Sequence, residues 1–315
     1  MPRPRVLCLL DISAYPHVLD GLRRVADVDV VTPNRELLLE TIGSYDGCLA
    51  TLSFRLTDEL LERAGRLRVV ATPTTGLDHL DVDALEKRGI RLISIKTEYE
   101  LLDRITATAE MAWALLLAAV RKLPAAHAAS MRGWWARDAL RGRQLAGLTL
   151  GIVGVGRLGA MVADYGRAFR LRVLGCDTNP RRIVPGVTYV DFDTLLRESD
   201  IISLHIHLTP ENTRLITREA FGKMKQGVVL INTSRGGIID EAAFLEALES
   251  GKVGAAGLDV IEGEWRDDLV DHPLIRYARE HNHVVISPHV GGITRESQSL
   301  TLEFVADRLA SALTE

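Results

Sequence analysis

The chain has 315 residues, 47% hydrophobic and 25% charged, the balance of a soluble globular fold and not of a disordered or fibrous chain. At about 150 residues per domain this length suits two domains, each able to bury a core without staples. With 42 acids against 38 bases the formal charge is -4 and no long run carries one sign, so neither nucleic acid nor a membrane is an expected partner and a small ligand must be held locally.

In chain order, Met1–Arg5 is basic, but the apolar run Val6–Leu10 is only five residues long before Asp11, which reads as a strand and not a signal peptide. Further β-rich runs follow at Val28–Val31, Gly47–Ala50, Val69–Ala71 and Arg91–Ile93, with helical stretches between them. Ile105, Ala109, Ala112, Trp113, Leu116, Leu117 and Val120 recur at helical spacing, predicting one long helix over Asp103–Leu123 that Pro124 halts, with a domain boundary near there. Its most apolar part, Met111–Val120, is ten residues, half of the roughly 20 that span a bilayer. Ala125–Ala146 reads as loops and a short helix.

A second α/β series then begins, with six strands expected at Thr149–Val153, Arg172–Cys176, Ile201–Leu204, Val228–Asn232, Gly257–Val260 and Val284–Ile286, enough for one dinucleotide fold. Ser297–Leu313 reads as a final helix with Leu300, Phe304, Leu309 and Leu313 near one face, returning to the first domain. Cys8, Cys48 and Cys176 are odd in number and show neither disulfide nor metal spacing, which fits a reducing, cytoplasmic compartment. No histidine pair has ligand spacing with supporting acids, so no metal is expected.

Gly154-Val155-Gly156-Arg157-Leu158-Gly159 follows the strand Thr149–Val153 and opens a helix. In that context the first glycine permits a tight turn, the second lets backbone approach a pyrophosphate, and the third allows close helix–strand packing, while the helix N-terminus supplies N–H donors. Asp177 ends the next strand, where a carboxylate would accept hydrogen bonds from an adenosine ribose and repel a 2′-phosphate, favouring NAD over NADP. Two other readings stay open: Asp177 as a cap of the turn Thr178-Asn179-Pro180, and Arg181 with Arg182 favouring the phosphorylated cofactor.

Three charged groups follow strand ends: Arg235 after Val228–Asn232, Glu264 after Gly257–Val260, and His289 after Val284–Ile286. Strand ends in one parallel sheet face the same way, so the three can converge although 54 positions separate the first from the last. Hydride exchange between a nicotinamide and a 2-hydroxy or 2-oxo acid needs such a set: a guanidinium fork for the carboxylate, a histidine for the hydroxyl proton, and a carboxylate that fixes the imidazole tautomer. Taken singly, each admits a plainer role, as a solvated loop arginine, one more acid in an acidic loop, and a satisfied histidine after Pro288. His205 and His207 flank a strand end near the expected cofactor, His79 sits in a turn beside Asp78 and Asp81, and the remaining histidines read as surface.

Together with His205-Ile206-His207-Leu208-Thr209-Pro210, Asn232-Thr233-Ser234-Arg235-Gly236-Gly237, Gly257-Leu258-Asp259-Val260 and Pro288-His289-Val290-Gly291-Gly292, this glycine motif resembles the D-2-hydroxyacid dehydrogenase family, which includes D-3-phosphoglycerate dehydrogenases. The resemblance is dense from about Thr72 to Ser297. It implies two Rossmann/flavodoxin-like α/β domains with parallel sheets, a doubly wound NAD-binding domain over 99–292, a discontinuous substrate domain of 1–98 and 293–315, an active site in the cleft between them, and a homodimer formed largely through the cofactor domain and the long helix. It places the family's substrate-gripping arginine, supporting glutamate and acid/base histidine on Arg235, Glu264 and His289, and its aspartate beside the nicotinamide carboxamide on Asp259. By the same likeness Arg157, Leu158, His205, Thr233 and Gly291 join Gly154, Gly156, Gly159 and Asp177 around the cofactor, and main-chain amides at Thr75-Gly76-Leu77 meet the substrate carboxylate.

Some positions depart from the family. Trp265 stands where a proline usually follows the glutamate, which leaves the Glu264 loop less pinned, and His207 stands where an apolar residue or proline is common. Glu98, Glu100 and Asp103 in the loop Lys96–Arg104 do not welcome a strongly anionic phosphoglycerate, and with nothing after residue 315 the serine feedback of longer relatives is not expected. The function expected is NAD-linked hydride transfer on a small D-2-hydroxy or 2-oxo acid, with 3-phosphoglycerate-like acids among the candidates. The alternative is a dinucleotide-sensing corepressor on the same fold; formate or phosphite oxidation is disfavoured because formate enzymes carry glutamine where Glu264 stands.

Overall fold

Five parallel strands form the first sheet in the order β2-β1-β3-β4-β5: β1 (Arg5–Cys8), β2 (Asp27–Val30), β3 (Gly47–Leu49), β4 (Val69–Thr72) and β5 (Arg91–Ser94). Seven form the second: β6 (Thr149–Val153), β7 (Arg172–Cys176), β8 (Thr188–Tyr189), β9 (Ile201–Leu204), β10 (Val228–Asn232), β11 (Val253–Leu258) and β12 (Val284–Ile286). Their order is β12-β11-β10-β9-β6-β7-β8, all parallel. This computed structural model describes residues 3–135, 137–179 and 183–315; Pro180, Arg181 and Arg182, and with them the arginine reading of cofactor choice, lie outside the described residues.

The chain divides into one unit of Met1–Ile105 with Thr294–Glu315 and a second of Thr106–Ile293. The first unit continues past the expected residue 98 because Leu102, on the short helix Tyr99–Leu102, is buried in its core. Within that unit Val6 and Cys8 of β1 face Leu19, Leu22 and the helix Arg295–Thr314, while Leu7 faces Leu38, Leu60 and Leu85 on the opposite side of the sheet. The C-terminal helix buries Leu302, Val305, Ala306, Leu309 and Leu313; Leu300 and Phe304, expected on that stripe, are only partly buried.

The second sheet is covered on both faces as well, which is why its strands read as continuous apolar runs. Ile152, Val229 and Ile231 turn toward the helices Ala107–Val120 and Arg157–Ala168, and Val153, Leu204 and Leu230 turn toward Leu195, Phe221 and Phe244 on the other side. The expected helix Asp103–Leu123 starts only at Ala107 and ends at Val120, and Leu123 opens a second helix. Lys122 takes a left-handed φ of 51° that ends the first, and Pro124 sits in the opening turn of a second helix, Leu123–Met131, where its missing N–H costs nothing.

Strand β11 begins at Val253 and stops at Leu258, not at Gly257–Val260 as its apolar tail suggests. Small residues line it because the helix Ala107–Val120 packs close: a Cβ on Gly257 would lie 2.8 Å from the Cβ of Leu115. The two-residue edge strand β8 makes the sheet seven-stranded instead of six. In this order β6 lies between β7 and β9, so successive connections leave it toward opposite sides and open a crevice at the carboxyl ends of β6 and β9.

Candidate active site

The glycine turn lies at that crevice, and its three glycines serve three different constraints. Gly154 has φ 87°, and a Cβ there would lie 2.4 Å from the His205 carbonyl oxygen. Gly159 is pressed against the turn itself, its Cβ position 2.0 Å from the Gly154 carbonyl oxygen. Gly156, the cap residue of the helix Arg157–Ala168, is the opposite case: among the described residues, no atom outside its own stretch of chain lies within 4 Å of where its Cβ would be. An open cradle beside a helix N-terminus fits a pyrophosphate. Arg157 and Leu158 open the helix and are partly buried.

The Asp177 carboxylate closes the turn from the β7 side, accepting the Val155 N–H at 2.6 Å and the Asn179 N–H at 2.8 Å. It thus caps its own turn and also ties β7 to the glycine loop. At the end of β9, His205 donates its backbone N–H to Val153 and contacts the Ser203 hydroxyl through Nε2 at 2.8 Å, while its Nδ1 is buried without a partner. Burial pushes the His205 imidazole down to about 4. Thr233, buried just after β10, likewise has an unpartnered hydroxyl. Two buried polar atoms at adjacent strand ends are what a polar cofactor ring would satisfy. His207 is exposed, its carbonyl held by Asn212.

Arg235 leaves β10 on a cross-braced turn. The buried Asn232 side chain donates to the Arg235 carbonyl at 2.9 Å and accepts the Ser234 N–H, and the Ser234 hydroxyl bonds the Leu204 carbonyl on β9. The guanidinium, partly buried, donates to the Ser234 carbonyl at 2.8 Å.

His289 follows β12 with φ 54°, a left-handed conformation that costs a non-glycine residue on the order of 1 kcal/mol. Asp259 offsets that cost. Only 1% exposed, it accepts the Ser287 hydroxyl at 2.6 Å, the Val290 N–H at 3.0 Å and the Gly291 N–H at 2.7 Å, and its own carbonyl accepts the His289 N–H. A side chain at Gly291 would run into that carboxylate. The imidazole Nδ1 then donates to Glu264 Oε1 at 2.5 Å, both side chains being mostly buried. A carboxylate only accepts, so Nδ1 carries the hydrogen and Nε2 is left for a reacting oxygen. Trp265 stacks on the imidazole with ring centroids 5.9 Å apart.

The structure therefore brings Glu264, His289 and Asp259 into direct contact and sets Arg235 at the end of β10, next to β11. Thr75 and Gly76 belong to the first unit, on the loop after β4, where Thr74 Oγ1 donates to the Gly76 carbonyl and Thr72 reaches Nε2 of the buried His79. Sequence reading missed the bracing by Asn232, Ser234 and Ser287, although the first two lie in the quoted motif around Arg235, and read His272 as surface although it is 2% exposed. No group of three or more potential ligands for a metal ion occurs among the described residues, and no helix among them is long and apolar enough to cross a membrane.

Residues 113–291 match the family described as D-isomer specific 2-hydroxyacid dehydrogenase, NAD binding domain. The chain is 38% identical over 284 residues to a D-3-phosphoglycerate dehydrogenase of Mycobacterium tuberculosis, covering 89% of this chain and 52% of that protein. It thus spans about half the length of those relatives. It is 35% identical to a glyoxylate reductase of Aeropyrum pernix over 99% of this chain and 93% of that one. A D-lactate dehydrogenase of Aquifex aeolicus, solved with NAD and lactic acid, superposes with a TM-score of 0.86 at 29% identity, covering 98% of this chain and 95% of that one. The chain belongs to the D-isomer-specific 2-hydroxyacid dehydrogenase family, and its second unit carries the NAD-binding domain.

Two predictions follow from the crevice. Gly159→Ala is expected to lower stability by about 1–3 kcal/mol through overpacking, whereas Gly156→Ala leaves the thermal midpoint in place and weakens NADH binding about tenfold or more, since only the ligand occupies that space. Fluorescence titration and thermal melts check the pair; equal effects at both positions contradict the assignment. Because the folded pKa of His205 lies near about 4 and the unfolded value near about 6.5, the unfolded chain takes up a proton that the folded chain refuses, and stability falls as pH drops through that window. Urea melts at pH 7 and pH 5 should show the parent losing more stability than His205→Asn.

Proposed function

We propose that the protein is an NAD-linked dehydrogenase that moves a hydride between NAD(H) and a small D-2-hydroxy acid or its 2-oxo partner. The observation that carries this reading is the Glu264–His289 hydrogen bond at 2.5 Å, one strand away from the turn that presents Arg235. The nicotinamide, when bound, supplies the hydride or accepts it. Arg235 grips the substrate carboxylate with its planar fork and orients the neighbouring carbon. In oxidation neutral His289 receives the hydroxyl proton at Nε2, and Glu264 stabilises the imidazolium that results; in reduction the imidazolium returns that proton to the carbonyl oxygen. Asp177, at the ribose position, favours NAD.

Glyoxylate, hydroxypyruvate, pyruvate and 3-phosphohydroxypyruvate are the acids to compare, because the relatives named above act at different members of this class by their names. A homodimer is the proposed assembly, supported by exposed apolar side chains of Leu123, Met131, Trp134 and Trp135 on the helix Leu123–Met131 and the turn after it. Three free cysteines support a reducing, cytoplasmic setting.

The test is a screen of those acids that follows NADH absorbance. Turnover with at least one of them is expected, and inertness toward the whole panel contradicts the reading. Arg235→Lys keeps the charge and loses the fork, so kcat/KM for the best acid should fall by about tenfold or more; a change within about threefold means that Arg235 does not orient substrate.

A further inference from the structure

We propose that Glu241 and His272 are positioning residues for the Glu264–His289 pair, acting as a buried clamp on the peptide groups of Glu262. Glu241 opens the helix Glu241–Glu249, whose cap Asp240 accepts the Ala243 N–H at 3.1 Å. Its Oε1 accepts the Glu262 N–H at 2.7 Å. His272 caps the helix Pro273–Glu280, its Nδ1 accepting the Leu274 N–H at 3.3 Å, so the ring hydrogen sits on Nε2 and is aimed at the Glu262 carbonyl 3.0 Å away. The same Nε2 lies 3.4 Å from Glu241 Oε2. Both backbone groups of Glu262 are thereby held, two residues before Glu264.

The arrangement is costly to the fold. The two side chains are 15% and 3% exposed, and burial pushes the Glu241 carboxyl upward, against the opposing pull of the Glu262 N–H bond and of His272. Apolar residues of the same volume would fill this space at no such cost, and what they could not supply is direction. The opposite side of the loop is closed too: a Cβ on Gly236 would lie 2.0 Å from the Ile261 carbonyl carbon and 2.2 Å from the Glu262 nitrogen. Segment 261–262 is therefore fixed between the clamp and the residue following Arg235, and it feeds directly into the Ile261 N–H to Glu264 Oε2 contact at 3.3 Å.

The inference rests on the acid/base reading of His289, but its test does not require turnover. Nitrogen-15 NMR of the intact protein reads the His289 tautomer, which in the parent is expected to be Nδ1–H. Glu241→Ala and His272→Asn, the latter keeping a cap for Leu274 but too short to reach Glu262, should each lose the pure Nδ1–H signature and move toward the mixture given by Glu264→Gln. Glu241→Gln retains an oxygen for the Glu262 N–H and should keep the parent's signature. In the Glu264→Gln background Glu241→Ala should add nothing. A parent-like tautomer in folded Glu241→Ala and His272→Asn overturns the proposal; should Glu241→Ala fail to fold, His272→Asn decides alone. If the parent shows Nδ1–H and turns over no 2-oxo acid, the proposed reaction fails while the clamp stands or falls on the same spectra.

Discussion

A parallel sheet delivers the carboxyl ends of all its strands to one edge, and the chemistry of the second unit depends on that constraint. Because β10, β11 and β12 are adjacent, the turn bearing Arg235, the Asp259 and Glu264 segment, and the His289 turn leave the sheet side by side. No local sequence feature could assemble residues so far apart in the chain. On the other side of the topological switch, β6 and β7 deliver the glycine turn and Asp177 to the same edge.

The unit spends stability at this edge. His289 holds a left-handed backbone, Asp259 and Glu241 are carboxylates withdrawn from water, and His205 and Thr233 keep buried polar atoms unpartnered. Elsewhere the core is apolar and close-packed, with Ile152, Leu230 and Phe244 fully buried. Concentrating strain and desolvation where ligands bind, on a scaffold that over-determines its backbone, is how a site is held ready before substrate arrives.

Much of this was legible because each legible residue answers a separate physical demand. The three glycines of the turn are there for a positive φ, an open approach and a tight packing, and spacing alone exposes them. The placement of Arg235, Glu264 and His289 after strand ends was legible because strand ends are, whereas the ring contact of Trp265 with the imidazole was not. Strand β11 was misplaced because its Gly-Ala-Ala-Gly run looks unlike a strand until the helix packed on it is known. The break at Lys122 leaves no trace in hydrophobic periodicity, and the burial of His272 is a tertiary fact that a lone histidine before a proline does not announce.

The central claim is that His289 exchanges the substrate proton while the cofactor site stands independently of it. Measuring NADH affinity and single-turnover reduction of the best 2-oxo acid in His289→Ala tests it most directly. The account predicts an unchanged dissociation constant for NADH and a rate lower by about 10²–10⁴ at every pH, the range of general acid–base catalysis. A rate close to the parent's with NADH binding intact would contradict it.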